Sequence, residues 1–273
     1  MDVLADIPAL RRWVASKQGR RIGFVPTMGY LHHGHASLID LLRPDCDALV
    51  VSSYVNPKQF GPTEDLDRYP SDPEGDEALV RKHGADALFR PTSLYPSTFA
   101  TNVHVSGLTD GLCGASRPGH FDGVATVVAR LFGLVSCDVA IFGEKDWQQL
   151  AVVRRLVDDL ALPVQIVGAP IVREADGLAA SSRNVYLDAS ARRRAVTLSR
   201  ALGAMAEAAR CGERRVEVLR AAALDVLDVD RLDYLEVVDA DTLSPLQQVR
   251  GPARALVAAF FGKTRLIDNV GLE

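Results

Sequence analysis

Gly23-Phe24-Val25-Pro26-Thr27-Met28-Gly29-Tyr30-Leu31-His32-His33-Gly34-His35 is the stretch from which the fold is read. Ile22 to Val25 is a short apolar run closed by a proline, the pattern of a buried strand, and Ala36 to Leu42 carries apolar residues at helical spacing. Between them Gly29 and Gly34 let the backbone turn sharply and approach a ligand closely. A helix N-terminus following such a loop offers unpaired N–H groups to a phosphate. His32 and His35 then stand about one helical turn apart, so both imidazoles can address the same anion.

Outward from this loop the same alternation repeats. Ile7 to Ser16 reads as an opening helix and Ala48 to Val55 as a second strand, ended by Asn56-Pro57. A charged, proline-rich surface loop is expected from Pro62 to Pro73, because apolar helical patterning resumes at Ala78, Leu79 and Val80. Ala87 to Phe89 and Val103 to Val105 are short strand candidates. Gly123 to Ser136 is helical in pattern, Asp138 to Phe142 a strand, Trp147 to Leu160 a helix and Val164 to Val167 a strand. Strands alternating with helices imply a parallel sheet covered on both faces, with ligands at the carboxyl ends of its strands. Beyond about Arg173 the texture changes. Helices are expected over Ser190 to Cys211 and Glu213 to Leu227, then strands at Leu232 to Val238, Arg254 to Phe261 and Arg265 to Val270, the last two joined as a hairpin at Gly262-Lys263. The expected fold class is therefore α/β, with a Rossmann-like parallel-sheet N-terminal domain over 1–173 and a smaller α+β C-terminal domain over 174–273.

Composition removes several functions. The 273 residues are 48% hydrophobic and 24% charged, as in a globular protein, and no apolar run approaches the roughly 18 residues that cross a bilayer. A membrane role is not expected. Asp2 and Asp6 interrupt the N-terminus, which lacks the order of a secretory signal, so the cytoplasm is the expected compartment. The four cysteines, at 46, 113, 137 and 211, form no C-x-x-C pair and read as reduced thiols. A net charge of -4 gives no general attraction to nucleic acid.

H-x-G-H alone is a weak signal, and its placement after a strand and at a helix start is what gives it weight. A metal reading of His32, His33 and His35 fails for want of a carboxylate or cysteine in the loop. The longer pattern V-P-T-M-G-x-L-H-x-G-H resembles the pantothenate synthetase family of the H-x-G-H nucleotidyltransferases. Four further segments resemble that family in order: Tyr54 to Gly61 (Y-V-N-P-K-Q-F-G), Arg117 to Val124 (R-P-G-H-F-D-G-V), Gly143 to Gln149 (G-E-K-D-W-Q-Q) and Ser181 to Asn184 (S-S-R-N). The five matches span residues 23 to 184 and the pattern beyond 185 is much less diagnostic.

The resemblance implies an ATP-dependent ligation of pantoate and β-alanine to pantothenate, through pantoyl adenylate, with release of AMP and pyrophosphate. It implies His35 as proton donor, with His32, Lys145, Arg183 and Ser181 beside it in the chemistry. Met28, Gly29, Gly34, Gly143, Asp146, Val172, Ala180 and Ser182 would join these residues in binding ATP. Ala180 stands where many relatives carry Met, which leaves a backbone contact intact and removes a side-chain one. Gln59 and Gln149, able both to accept from a hydroxyl and to donate to a carboxylate, would bind pantoate with Met28, Asn56 and Tyr69, although Tyr69 reads equally as a packing residue. His33 reads as a solvated side chain and Gln148 as support. Arg117 to Gly123 stays open between an anion site and a structural turn. Mg2+ is implied as the partner of ATP, held by phosphates and water, with no dedicated protein metal site. A homodimer is implied as well. Two other classes share part of the pattern: another H-x-G-H nucleotidyltransferase acting on a different small acceptor, or a class I aminoacyl-tRNA synthetase, and a nucleotide-binding regulatory module without catalysis. The short, mildly acidic chain and Ser-Ser-Arg-Asn argue against the synthetase, and retention of His32, His35, Lys145 and Arg183 against the module.

Overall fold

The computed structural model describes residues 1–62 and 64–272. Thr63, within the expected surface loop, and Glu273 lie outside them. Six strands, β1 (Asp2–Leu4), β2 (Ile22–Thr27), β3 (Ala48–Ser53), β4 (Ala87–Phe89), β5 (Val139–Gly143) and β6 (Gln165–Ala169), form one parallel sheet in the order β1-β4-β3-β2-β5-β6. Six helices accompany it: α1 (Ile7–Ala15), α2 (His33–Leu42), α3 (Pro73–Lys82), α4 (Leu112–Ser116), α5 (His120–Val135) and α6 (Trp147–Asp159). Because side chains alternate along a strand, Phe24, Val50, Phe89 and Phe142 pack with α1, α5 and α6, whereas Val25, Val51, Leu88 and Ile141 pack with α2 and α3. Burial on both faces explains the near-continuous apolar strands of the sequence.

The order of the strands places the site. From β2 the chain winds outward through β3 and β4, then returns to add β5 on the other side of β2. The carboxyl ends of β2 and β5 thus flank a topological switch point, where an open α/β sheet leaves a crevice for ligand. The loop after β2 carries the histidines and the turn after β5 carries Lys145.

Residues 189–272 form α7 (Ala189–Ala195), α8 (Thr197–Arg210) and α9 (Val216–Leu224), packed on an antiparallel sheet of β7 (Arg231–Asp239), β8 (Ala253–Phe261) and β9 (Thr264–Leu272). The expected β8–β9 hairpin forms. The two sheets are interlocked at the turn after β5. Trp147 donates its indole N–H to the Ala240 carbonyl at 2.9 Å, Arg254 lies 3.5 Å over the Trp147 ring, and the Asn269 amide donates to the carbonyls of Glu144 and Lys145 at 2.9 Å each. Val238, Leu243 and Leu256 belong to the core beneath the parallel sheet.

Four sequence expectations are corrected. Val103 to Val105 is not a strand, since Val103 donates its N–H to Thr126 Oγ1 at 2.9 Å and the segment is pinned along α5 instead of joining the sheet. The single helix expected over Ser190 to Cys211 is two, divided at Val196. Helices α2 and α5 begin at His33 and His120, each three residues before the apolar pattern, because polar residues interrupt the period in their first turns: His33 and His35 in α2, His120 and Asp122 beside the buried Phe121 in α5. Strand β1 and helix α4 have no counterpart among the sequence expectations, being too short to show a period. No helix among the described residues is long and apolar enough to cross a membrane.

Candidate active site

His32 caps α2 with its own side chain. Its Nδ1 accepts the Gly34 N–H at 3.1 Å, while His35 Nδ1 accepts the His32 N–H at 3.2 Å. A backbone N–H can only donate, so both Nδ1 atoms are bare and each ring presents Nε2–H. Burial first, then the nearby Lys145 and His33, push the His32 imidazole down to about 4. Burial, His32, Lys145 and His33 in that order hold His35 well below the ordinary 6.5. The two histidines are therefore neutral hydrogen-bond donors, with ring centroids 4.1 Å apart. Gly34 is required between them: a Cβ there would stand 2.9 Å from His32 Cε1 and 3.0 Å from His32 Nδ1.

The loop is held from behind by a residue that no sequence motif marks. Asp76 on α3 is buried and accepts N–H groups from Tyr30 at 3.1 Å and Leu31 at 2.6 Å, together with the Ser53 hydroxyl at 3.3 Å. Burial raises its carboxyl and these bonds oppose the rise. They also stabilise the left-handed backbone at Tyr30, φ 51°.

Opposite the histidines, Ser181 caps a 3₁₀ turn, Ser182–Tyr186, and accepts the Arg183 N–H at 3.3 Å. Arg183 makes a bidentate bond to Asp65, with Nε–H and Nη2–H donating at 2.9 and 2.8 Å. Lys145 stands between the two walls, on the 3₁₀ turn after β5. It is deeply set yet reachable from the cavity, and burial lowers its ammonium below the ordinary lysine range against the pull of Asp146 and Asp268.

These elements enclose a cavity of about 240 Å3. Met28, His32, Gly34, His35, Asn56, Gln59, Tyr69, Gly143, Lys145, Asp146, Gln149, Val172, Ala180, Ser181, Ser182 and Arg183 all line it, completed by an apolar wall of Val124, Val127, Val128 and Leu131 from α5. Gly29 is the exception among the sequence candidates. It turns away from the cavity, and a Cβ there would meet Ser53 Oγ at 2.7 Å and Asp76 Oδ2 at 3.0 Å. His33 is exposed and outside the lining. Gln148 is buried and binds the Cys113 N–H and the Leu108 and Gly111 carbonyls, each at 2.9 Å. Asn56 has both amide hydrogens engaged, donating to Gln59 Oε1 at 3.1 Å and the Gly123 carbonyl at 3.0 Å. Arg183 also borders a larger cleft of about 1040 Å3. Among the described residues no group of three or more His, Cys, Asp or Glu side chains is disposed to hold a metal.

A doubly wound sheet with neutral histidine donors and a lysine at its switch point, faced by a hydroxyl-guanidinium loop, is an arrangement suited to hold an anionic ligand. Residues 2–271 match the family described as Pantoate-beta-alanine ligase. The chain belongs to this family, whose members condense pantoate with β-alanine. It is 49% identical to the pantothenate synthetase of Moorella thermoacetica, over 100% of this chain and 99% of that protein, and 53% identical to pantothenate synthetase 1 of Bradyrhizobium diazoefficiens, over 100% and 99%. A crystal structure of pantothenate synthetase from Thermus thermophilus superposes with a TM-score of 0.95 at 50% identity, covering 99% of both chains. Pantoate-beta-alanine ligase from Francisella tularensis, solved with beta-gamma ATP and beta-alanine, gives 0.82 at 30% identity, covering 99% of this chain and 97% of that one.

Proposed function

We propose that this chain joins pantoate to β-alanine in two steps at the described cavity. In the first, a pantoate carboxylate oxygen attacks the α-phosphorus of ATP, the bond to the β-phosphate oxygen breaks, and pyrophosphate leaves a pantoyl adenylate. In the second, the β-alanine amine attacks the acyl carbon, the bond to AMP breaks, and the amine proton passes to solvent as the amide forms. Neither step requires a protein nucleophile, so catalysis is positioning and charge stabilisation.

The Nε2–H groups of His32 and His35 donate to phosphate oxygens, with His35 nearest the reacting bond. Lys145 balances charge that grows on the phosphates, and Ser181, Ser182 and Arg183 receive the departing pyrophosphate, for which the guanidinium fork is suited. Gln59 and Gln149 bind the hydroxyl and carboxylate of pantoate beside Met28 and Tyr69, Val172 gives adenine a backbone contact, and Ala180 gives ATP one. Mg2+ enters with ATP, its oxygens supplied by phosphate and water. The unit over 1–173 carries the nucleotide and acid, and the unit over 174–273 serves as a lid, in a cytoplasmic homodimer. The beta-gamma ATP and beta-alanine named with the Francisella ligase support ATP and β-alanine as substrates.

The observation that carries the reading is that both glutamines, both histidines, Lys145 and Arg183, drawn from four separate stretches of chain, line one cavity. The test is exchange of labelled pyrophosphate into ATP. It is expected to require pantoate and to proceed without β-alanine. Exchange that demands another acid, or that needs β-alanine, refutes the adenylate scheme.

A further inference from the structure

The segment Arg117 to Gly123 is part of the family pattern, yet neither Arg117 nor His120 lines the cavity that receives the Gln59 side chain. Their bonds run to the main chain behind it. His120 Nδ1 lies 2.8 Å from the Gln59 carbonyl oxygen, and Arg117 Nη1 lies 3.0 Å from His120 Nε2. A carbonyl can only accept and a guanidinium can only donate. His120 therefore carries its proton on Nδ1, gives it to Gln59, and takes an N–H from Arg117 on Nε2. Burial pushes this imidazole down to about 3, so the neutral tautomer that the geometry requires is the stable one.

Arg117 is fixed in turn. Its Nε–H and Nη2–H donate to the Glu64 carboxylate at 2.8 and 2.6 Å, and Nη2–H reaches the Gln59 carbonyl at 3.3 Å. With Nε, Nη1 and Nη2 all engaged, no fork is left to bind an anion. The backbone of α5 meets the same turn directly. A Cβ on Gly123 would fall 2.2 Å from the Lys58 carbonyl oxygen and 2.6 Å from the Gln59 nitrogen, and the Gly123 carbonyl accepts from Asn56 Nδ2 at 3.0 Å. The turn Pro57–Gln59 is thus fastened to the first turn of α5 by a chain that ends on Glu64.

We propose that His120 and Arg117, which line a small pocket adjoining the cavity, are positioning residues that set the Gln59 amide for the acid substrate by gripping the Gln59 main chain. The inference rests on the proposed role of Gln59 in binding pantoate. It implies that damage to the grip is felt by the acid and not by the nucleotide, whose histidines and lysine stand on other loops.

Steady-state pyrophosphate exchange with His120→Phe, His120→Asn, Gln59→Ala and the His120→Phe/Gln59→Ala pair tests this. His120→Phe keeps the ring and removes both hydrogen bonds, and it is expected to raise KM for pantoate by about ten- to a hundredfold while KM for ATP stays within about twofold. His120→Asn, whose amide can return a donor toward the Gln59 carbonyl, is expected to recover most of the loss. The double variant is expected to be no worse than Gln59→Ala alone, since His120 acts through Gln59. Should His120→Phe fail to fold, Arg117→Lys, which loses the fork to Glu64, is expected to give the same split between the two KM values. Equal rises in both KM values, no recovery in His120→Asn, or additive losses in the pair overturn the inference. If Gln59→Ala leaves the pantoate KM unchanged, the acid-site assignment itself falls. If Gln59→Ala raises it while His120→Phe and Arg117→Lys do not, only the inference falls.

Discussion

The two walls of the cavity are built on different terms. The histidine wall stands on the end of β2 and is fixed by main-chain bonds: its imidazoles accept from their own helix turn, and its loop is tied to Asp76. The facing wall presents charge through Arg183, whose fork is paired with the side chain of Asp65. One wall is neutral and held by main-chain bonds; the other is a charged side-chain ion pair. Preorganised donors suit the atom where charge develops during reaction, because they need no rearrangement at that moment. On the proposed reading, that ion pair would yield to pyrophosphate, a group taken up and let go in each turnover.

The largest effect expected from this contrast is at His35. His35→Ala should slow adenylate formation by about 10²- to 10³-fold, the usual loss for one well-placed donor, with the unfolding midpoint little changed. An unaltered single-turnover rate would remove His35 from the chemistry. Asp76→Ala comes next and acts on stability, leaving two loop N–H groups without an acceptor; a loss of about 2–3 kcal/mol is expected in urea titrations. A variant as stable as the parent would show that the loop is held by other means.

Acid provides a third test. The folded His32 pKa of about 4 lies below the ordinary 6.5, so between these values the unfolded chain binds a proton that the native site refuses. Stability is therefore expected to fall as pH drops from 6.5 toward 4, and His32→Gln should flatten that fall. Stability that rises over the same interval would contradict neutral histidines. The smallest effect is expected at the other wall. Asp65→Asn breaks a part-buried bidentate ion pair, and, if the proposed phosphate role of Arg183 holds, the exchange rate should change by less than about threefold. A large loss of rate would mean that Asp65 stays with Arg183 throughout.

The histidine wall was the more legible in sequence, because everything it needs locally lies within residues 22 to 42: a strand, a turn and a capped helix. Lys145 could be placed for the same reason, at the junction of β5 and the turn before α6. What decides their mutual placement is longer in range. Asp76 sits between Glu74 and Gly75 on one side and Glu77 on the other, and nothing in its neighbourhood marks it as the one acid in that helix that turns inward. Asp65 is likewise 118 residues from its arginine. Strand β1 joins the sheet only because β4 offers it an edge, a fact about pairing that no three-residue pattern contains.

The Asn269 amide, which spans the carbonyls of Glu144 and Lys145, carries an evolutionary corollary. A recombination event that kept the parallel sheet and exchanged everything after residue 173 would preserve the histidines, both glutamines and the lysine in sequence, yet it would leave the lysine turn without its brace. Transplanting this parallel-sheet half onto a new C-terminal partner therefore demands a substitute amide at one defined spot, and lineages that shuffle such modules would be expected to inherit the last strand together with the lysine turn.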